Sequence, residues 1–455
     1  MSTTTRPRSP STTPPPSPRA TEPLKKRPRL ASSNSPLPYH VGMHLAPMVR
    51  IGTLPTRLVS LEYGASLVWG PEIVDKAIIG ATREVDPNTG VVKFVKNNRA
   101  IFECHPVEKS RLIFQLGSAD PELAVEALKV IEHDVAGVGL NCGCPKSFSL
   151  QGGMGAALLK DPTRLCNILK ALVAATDLPI DAKIRLLPIS APSSPSPESE
   201  SEPAPPAASE DPTLPLIREI LSTGIKCLTV HCRTQTMRSS EPALHHRLLS
   251  INESLARLRR EAQESCPGAE APEWTKIPVV CNGDVTGGAR EGTEEEGNED
   301  GPDATPTDTW GNFDKVCRET GVASVMIARA AEANPSCFNS AGLEDPIKVV
   351  IPKMLRIAIM TKNHFSNTKY VLNAINLHHS PTPPGKELNR DVKLQMNKAK
   401  TYVDMGRIFG IDEAEIKRLE SDATDETLRQ LVPRWVERSK KIEASYEKGP
   451  GVSSA

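Results

Sequence analysis

Short apolar runs recur along the chain and predict a parallel β-sheet covered by helices. Each run ends in a polar residue or a glycine, and a helical pattern generally follows it. The eight runs span residues 44–49, 67–73, 112–117, 137–143, 179–185, 226–232, 278–285 and 324–330. Strands that are apolar on both faces are typical of a sheet buried between helices. Residues 120–134, with an aspartate cap, a proline in the first turn and apolar residues at three- and four-residue spacing, predict one of these helices.

Eight such units indicate an α/β fold of the (β/α)8 TIM-barrel type, which we place at residues 39–340. A doubly wound parallel sheet is the alternative, but no G-x-G-x-x-G turn follows the first run. After the barrel, amphipathic helical stretches follow one another with no apolar strand between them. They predict a smaller all-helical C-terminal domain over residues 341–447.

Segments rich in proline, serine and charged residues are predicted to be disordered. They are residues 1–38 and 448–455, together with two insertions in the barrel near 188–215 and 286–309. Compact domains rarely need unstructured loops longer than about 12–15 residues, so we place both insertions at the surface. The run KKRPRL, from Lys25 to Leu30, is either a nuclear import signal or a solvated basic tail. We expect the protein in the cytoplasm, and also in the nucleus if this run is a signal.

Charge and cysteine usage limit the class of protein. The 55 basic and 55 acidic residues cancel, but the N-terminal tail is basic and both insertions are acidic. The remainder therefore carries a modest positive excess, which permits an RNA partner without requiring one. Ten cysteines without a C-x-x-C pair, and no apolar stretch long enough for a signal peptide or a membrane span, indicate an intracellular protein with reduced thiols.

The ends of the eight runs carry the candidate site, because catalytic groups of such barrels lie at the carboxyl ends of the strands. The end residues are Met48, Glu72, Gln115, Asn141, Lys183, His231, Asn282 and Arg329. Such a ring suits a flat, phosphorylated cofactor: a lysine and a glutamine could hold the polar edge of a flavin ring. The turns after the seventh and eighth runs could bind its phosphate. A salt bridge for Lys183 and an ordinary hydrogen-bonded role for His231 stay open.

The segment NCGCPKSFSLQGGMGAALL, residues 141–159, could be a metal clip, a phosphate loop or a reactive thiol beside a flexible loop. No second cysteine pair or nearby histidine supports a metal site, and G-K-[ST] is missing for a phosphate loop. We therefore predict no metal and a reactive thiol in this segment, followed by a loop whose glycines at 152, 153 and 155 suit closure over a bound ligand. Cys142 is expected to be a buried strand residue.

Seven motifs of the chain resemble those of the tRNA-dihydrouridine synthases. They are LAPMV, FQLGS, the segment 141–159, KIR, VHCRTQTMR, NGDV and MIARAAEANP. The resemblance covers residues 42–340, and the helical C-terminal part is compatible with the tRNA-binding domain of that family. The form CPK…GGMGAALL and the run NTKY (367–370) most resemble the eukaryotic branch that modifies position 20 in the tRNA D-loop.

The resemblance implies an enzyme that holds FMN, takes electrons from NADPH or NADH and reduces the C5–C6 double bond of a tRNA uridine. It implies that Cys144 is the general acid, that Asn141 lies near the substrate base and that tRNA is the partner of a monomeric enzyme without membrane contact. A thiol suits the acid role because its ordinary pKa, near about 8.5, leaves it mostly protonated at neutral pH. The family contacts to FMN fall on Ala46, Pro47, Met48, Gln115, Lys183, His231, Asn282, Gly283, Asp284, Ala328 and Arg329.

Three cations just past strand ends, Lys146, Arg233 and Arg238, either contact substrate phosphates or are solvated surface charges. Asp284 departs from the family, which often has a small residue there. Either only its backbone N–H faces the phosphate, or its side chain points inward and weakens flavin binding. We identify no appended double-stranded RNA-binding segment, so tRNA is expected to be held by the helical domain and the barrel face.

Two other functions stay open at this point. One is a different FMN barrel, of the dihydroorotate dehydrogenase or ene-reductase type, that acts on a small molecule. The other is a non-catalytic RNA-binding protein.

Overall fold

Eight parallel strands close into a barrel in the computed structural model, which describes residues 37–189, 210–266, 269–286, 312–379 and 386–447. The strands in chain order are β1 (Gly42–Leu45), β2 (Leu67–Val74), β3 (Thr82–Val85), β4 (Val92–Lys96), β5 (Arg99–Cys104), β6 (Leu112–Gly117), β7 (Gly137–Cys142), β8 (Ile180–Arg185), β9 (Cys227–His231), β10 (Val279–Asn282) and β11 (Ser324–Ile327). The barrel order is β1-β11-β10-β9-β8-β7-β6-β2. All eight predicted strands are therefore confirmed, and so is the TIM-barrel fold.

The helices surround the barrel and then continue alone toward the C-terminus. They are α1 (Leu54–Tyr63), α2 (Asp75–Ile78), α3 (Pro121–Ile131), α4 (Ser147–Gln151), α5 (Pro162–Ala175), α6 (Thr213–Leu221), α7 (His245–Glu264), α8 (Asn312–Thr320), α9 (Arg329–Ala333), α10 (Ile351–Met360), α11 (Phe365–Ala374), α12 (Lys386–Lys398), α13 (Tyr402–Ile408), α14 (Glu413–Ser421), α15 (Asp425–Gln430) and α16 (Pro433–Glu447). The cap predicted for α3 is present, since the Asp120 carboxylate accepts the N–H groups of Glu122 and Leu123.

The barrel interior is mainly apolar but contains a buried carboxyl group. Asp181 on β8 lies inside, where it accepts hydrogen bonds from the Tyr39 hydroxyl (3.4 Å) and the Trp69 indole (3.3 Å). The absence of a side chain at Gly139 makes room for it, because a Cβ there would lie 2.6 Å from Asp181 Oδ1. Burial raises the pKa of Asp181 to about 7, and both hydrogen bonds oppose this shift.

A three-stranded antiparallel sheet, β3-β4-β5, is inserted between β2 and β6 and was not predicted. Charged residues interrupt the few apolar ones in its strands, so no continuous apolar run marks them. Phe94 and Phe102 are its buried anchors. The Phe102 ring lies edge-on to Phe114 of β6, with 5.0 Å between the ring centroids.

The C-terminal helices pack on the barrel through α1. The indole N–H of the buried Trp435 donates to the Val107 carbonyl oxygen (2.9 Å), and its backbone N–H donates to Glu62 of α1 (3.1 Å). Lys353 of α10 also pairs with Glu62 (3.0 Å). The described residues from Leu37 onward belong to one compact unit. The all-helical character of this region is confirmed, whereas its status as a separate tRNA-binding domain that begins at 341 stays a prediction.

Two predicted boundaries of disorder need correction. Residues 210–215 are ordered, because Asp211 pairs with Arg247 at 2.7 Å and α6 begins at Thr213. Leu37 is also placed, packed against the apolar barrel interior. The remainder of the predicted tails and insertions, with the run Lys25 to Leu30, lies outside the described residues apart from 188–189 and 286. Within the described ranges, no helix has both the length and the apolar character needed to span a membrane.

The buried ion pair of Arg57 and Glu108 gives a stability prediction. The guanidinium donates to the carboxylate at 2.9 and 2.7 Å, and the two side chains are 1% and 0% exposed. Glu108→Ala leaves a buried charge without its partner, so we expect the free energy of unfolding in urea to fall by about 3–5 kcal/mol. Lys441→Ala removes an exposed pair with Glu437 and should leave the free energy of unfolding almost unchanged, because solvent screens such a pair. Equal losses of stability in the two variants would show that the buried pair contributes no more than the exposed one and would contradict this prediction.

Candidate active site at the carboxyl end of the barrel

The register of the strands brings most of the predicted end residues into adjacent positions. The paired Cα atoms are Glu72 with Gln115, Asn141 with Lys183, and His231 with Asn282. The turn after β1 joins the same end, because the N–H of Ala46 donates to the carbonyl of Ile327 on β11 (2.8 Å). Gln115 and Ala46 are buried, whereas Pro47 and Met48 are half-buried. Six residues of the expected ring therefore lie in three adjacent pairs at this end of the barrel, and their roles stay predictions.

Asn141 holds the turn that carries Cys144, the candidate general acid. Its side-chain oxygen accepts the backbone N–H groups of Gly143 (3.0 Å) and Cys144 (3.1 Å). Cys144 is half-buried at the mouth, whereas Cys142, on the strand itself, is fully buried as predicted. Asn141 thus acts on Cys144 as a positioning residue, and its predicted contact with a substrate base stays a prediction.

The glycine-rich segment packs directly against Cys144. Gly155 has a φ of +58°, and a Cβ at this position would lie 2.4 Å from Ser149 Oγ and 2.6 Å from the Cys144 carbonyl oxygen. That carbonyl also accepts the N–H of Ala156 at 3.0 Å. Only glycine fits this conformation and this contact. The predicted closure of the segment over a bound ligand, which the family resemblance takes to be a uracil base, stays a prediction.

Glu72 lies beside the thiol, a role that the sequence did not reveal. Burial raises the pKa of the Glu72 carboxyl, while the polar groups of Cys144 and Asn141 beside it act in the opposite direction. Burial also raises the pKa of the Cys144 thiol, and the negative charge of Glu72 raises it further. Gly117 leaves the room for this carboxyl group, because a Cβ there would lie 2.8 Å from Glu72 Oε1. The thiol is therefore held in its protonated form.

Four cations converge on His231 and make this side of the mouth electropositive. Burial lowers the pKa of His231, and Lys183, Arg185, Arg233 and Arg329 lower it further. The imidazole is therefore neutral. Burial lowers the pKa of Lys183 itself to about 7, with the charge of Arg185 as the next cause. Such an excess of positive charge favours an anionic ligand.

Arg185 is a second residue missing from the predicted site. Its guanidinium donates to the carbonyl oxygens of Gly143 and Thr234, both at 2.9 Å. It therefore ties the Cys144 turn to the loop after β9. Strand alternation in the sequence could have identified it, because Arg185 lies two residues after Lys183 and side chains two residues apart share one face of a strand.

The side chain of Asp284 is turned toward two arginines. Its carboxylate accepts hydrogen bonds from Arg233 (2.5 and 2.6 Å), from the N–H of Ala243 (2.7 Å) and from Arg329. Burial alone would raise the pKa of this carboxyl group, but Arg233 and the Ala243 N–H outweigh it and lower the pKa. The carboxylate that departs from the family pattern is thus compensated by cations.

Arg233 does not have the exposure expected of a phosphate-contacting surface residue. It is 3% exposed, and besides Asp284 its guanidinium donates to the carbonyl oxygen of Glu241 (2.7 Å). These partners are local, so we assign Arg233 to the support of Asp284 and His231. Lys146 and Arg238 are exposed, and their contact with substrate stays a prediction.

A cavity of about 490 Å³ opens among the ends of β8–β11 and the C-terminal region. Six predicted cofactor residues line it, together with Arg185 and His379: they are His231, Asn282, Gly283, Asp284, Ala328 and Arg329. Gly283 has a φ of +114°, and a Cβ there would lie 3.1 Å from the His231 ring. A larger residue would therefore crowd the cavity wall.

Behind this wall, Cys232, Cys281 and His245 bring three potential metal-ligand atoms within 4.8 Å of one another. The two sulfur atoms lie 3.7 Å apart. Both ring nitrogens of His245 already have partners, Nε2 with the carbonyl oxygen of Gly283 (2.8 Å) and Nδ1 with Glu319 (3.3 Å). We interpret the group as a hydrogen-bonded cluster that supports the Gly283 turn. The prediction of no metal stays a prediction.

Comparisons with known proteins agree with this arrangement. Residues 44–195 match the model of the dihydrouridine synthase (Dus) family. The chain is 39% identical, over 87% of its length and 69% of the relative, to the tRNA-dihydrouridine(20) synthase (NAD(P)+) of Schizosaccharomyces pombe. It is 34% identical, over 73% of its length and 76% of the relative, to the protein of that name in Saccharomyces cerevisiae. Identity is 25% with the tRNA-dihydrouridine(20a/20b) synthase (NAD(P)+) of S. pombe, over 79% of this chain and 84% of that one. The chain belongs to the dihydrouridine synthase family, within its tRNA-dihydrouridine(20) synthase branch.

Proposed function

We propose that this protein is an FMN-dependent enzyme that reduces the C5–C6 double bond of a uridine in the tRNA D-loop, at position 20. NADPH or NADH would be the reductant, and the enzyme would act as a monomer. The observation that carries the proposal is the half-buried thiol of Cys144, held protonated at the same barrel mouth as an electropositive cavity. Family membership favours this function over a small-molecule FMN enzyme or a non-catalytic RNA-binding protein.

The residues of the cavity fit a phosphorylated flavin. A volume of about 490 Å³ lies in the range of cofactor sites, and three arginines face a single described carboxylate there, that of Asp284. Asn282–Asp284 and Ala328–Arg329 would hold the phosphate, while Gln115 and Lys183 would hold the polar edge of the ring. An anionic group beside Lys183 would favour its charged form and raise its pKa from about 7. When bound, the flavin supplies the hydride chemistry.

Cys144 would hold the proton at Sγ and transfer it to C5 of the uracil. Burial and the charge of Glu72 keep this proton on the sulfur before the reaction. Once the proton has left, the thiolate lies within reach of the positive charges of Lys183 and Arg185, which stabilise it. Asn141 orients the turn, and the segment around Gly155 would shield the thiol from water.

The tRNA face would include exposed aromatic and cationic side chains around the mouth. A uridine must leave its stack to reach the site, and exposed aromatic rings can stack on the neighbouring bases. Phe148, two residues after Lys146 on the Cys144 segment, is 49% exposed. Tyr370 of the helical region is also exposed, and the Arg50 guanidinium lies 3.7 Å from its ring centroid. Both positions suit contacts with single-stranded nucleotides of the loop.

Replacement of Cys144 tests the acid role. We expect Cys144→Ala to lower the rate of dihydrouridine formation by a factor of roughly 10²–10⁴, because proton transfer by a positioned acid contributes about that much. Flavin reduction by NADPH, measured by stopped-flow absorbance, should remain unchanged. Cys142→Ala is the matched control and should retain activity.

The cellular form of this test is dihydrouridine mapping in tRNA from cells that lack the protein. Loss at position 20, restored by the wild-type protein and not by Cys144→Ala, is the expected result. Unchanged dihydrouridine at every position would overturn the proposed function.

Replacement of Glu72 tests the electrostatic control of the thiol. Glu72→Gln removes a negative charge beside Cys144, so the pKa of the thiol should fall and the alkaline limb of the activity profile should move to lower pH. Alkylation of Cys144 by iodoacetamide at pH 8, followed by mass spectrometry, should become several-fold faster. Glu437→Gln, at an exposed site on α16, should have no effect. Slower or unchanged alkylation of Glu72→Gln would contradict this account.

A further inference from the structure

One side chain of the C-terminal region, His379, lines the cavity at the end formed by the turns after β10 and β11. It lies in the single helical turn Leu377–His379 after α11, yet it borders the same space as Gly283, Ala328 and Arg329. Its Nδ1 atom is buried and has no hydrogen-bond partner among the described residues. Buried polar side-chain atoms are nearly always paired, so this nitrogen indicates a ligand group that it would contact.

The position of His379 is fixed by the backbone around it. The N–H of Asn376 donates to the carbonyl oxygen of Ala333 (2.8 Å), at the end of α9, the helix that begins with Arg329. The N–H of His379 donates to the carbonyl oxygen of Asn376 (3.3 Å), and the buried Leu377 anchors the turn. The turn that carries the imidazole is therefore bound to α9, the helix that begins with the predicted phosphate-binding residue Arg329.

The charge of the surroundings defines the kind of ligand. Arg185, Arg233 and Arg329 line the cavity, whereas Asp284 is the only carboxylate among the described residues of its lining. A phosphate monoester complements this excess, since its oxygens accept several charge-assisted hydrogen bonds. An imidazole N–H can supply one more such bond.

We propose that His379 is a cofactor-binding residue that donates a hydrogen bond to the phosphate of the bound flavin mononucleotide. The C-terminal helical region thereby completes the cofactor site of the barrel. This inference rests on the proposed function only in taking the ligand to be a phosphorylated flavin.

The test compares a flavin that carries the phosphate with one that lacks it. Dissociation constants of FMN and riboflavin are measured by flavin fluorescence on the full chain after removal of its bound flavin. For His379→Ala we expect the dissociation constant of FMN to rise about ten- to a hundredfold, as for the loss of a hydrogen bond to a charged group. The dissociation constant of riboflavin should change by less than about twofold. His379→Gln, which keeps a donor, should show a smaller loss for FMN.

The neighbouring His378 is exposed and provides the matched control, because His378→Ala should leave both constants unchanged. An equal loss of both flavins in His379→Ala would indicate a structural role and overturn the phosphate contact. Unchanged FMN binding in His379→Ala would overturn it as well, with the proposed function intact. Failure of the wild-type chain to bind either flavin would overturn the proposed function and the inference together.

Discussion

The ion pairs of Asp284 with Arg233 and Arg329 hold together three loops of the barrel mouth. These residues follow three different strands, β10, β9 and β11, and the two guanidinium groups would repel each other without the carboxylate between them. Their partial burial makes the pairing stronger than at an open surface, and a φ of +52° at Asp284 directs the carboxylate back toward the barrel. The cavity wall and the placement of Arg329 depend on this arrangement.

Groups of opposite charge act on the two protonation states of Cys144. Glu72 and burial favour the neutral thiol, whereas Lys183 and Arg185 favour the thiolate. These groups come from β2 and β8, which flank β6 and β7 in the barrel. The register of the strands therefore places both the carboxylate that favours the thiol and the cations that favour the thiolate. A shift of one residue would turn these side chains away from the mouth.

The sequence predicted those features that depend on local pattern. The barrel strands were found because they are apolar on both faces, and Asn141, Lys183 and Asn282 because each comes at the end of such a run. The inserted sheet was missed because β3 is exposed throughout and β5 is exposed over its first half, so their few apolar residues, such as Phe102, form no continuous run.

The roles that were missed depend on contacts between distant segments. Nothing local to Glu72 shows that it lies beside Cys144, and nothing local to Arg233 shows that Asp284 will cover it. His379 lies outside the barrel sequence altogether and reaches the cavity only through the docking of Asn376 on Ala333. The sequence therefore placed polar residues at strand ends, whereas their exposure and their partners could be read only from the fold.

The buried Trp435 joins the last helix, α16, to the barrel. It lies more than 300 residues after the groups to which it donates, Glu62 and Val107, so this interface forms only after almost the entire chain has been synthesised. Until then α1 presents an uncovered apolar surface and an unpaired Glu62. Removal of the helical region would therefore leave Glu62 without the Trp435 N–H and without Lys353, and would expose the surface of α1 that Trp435 covers.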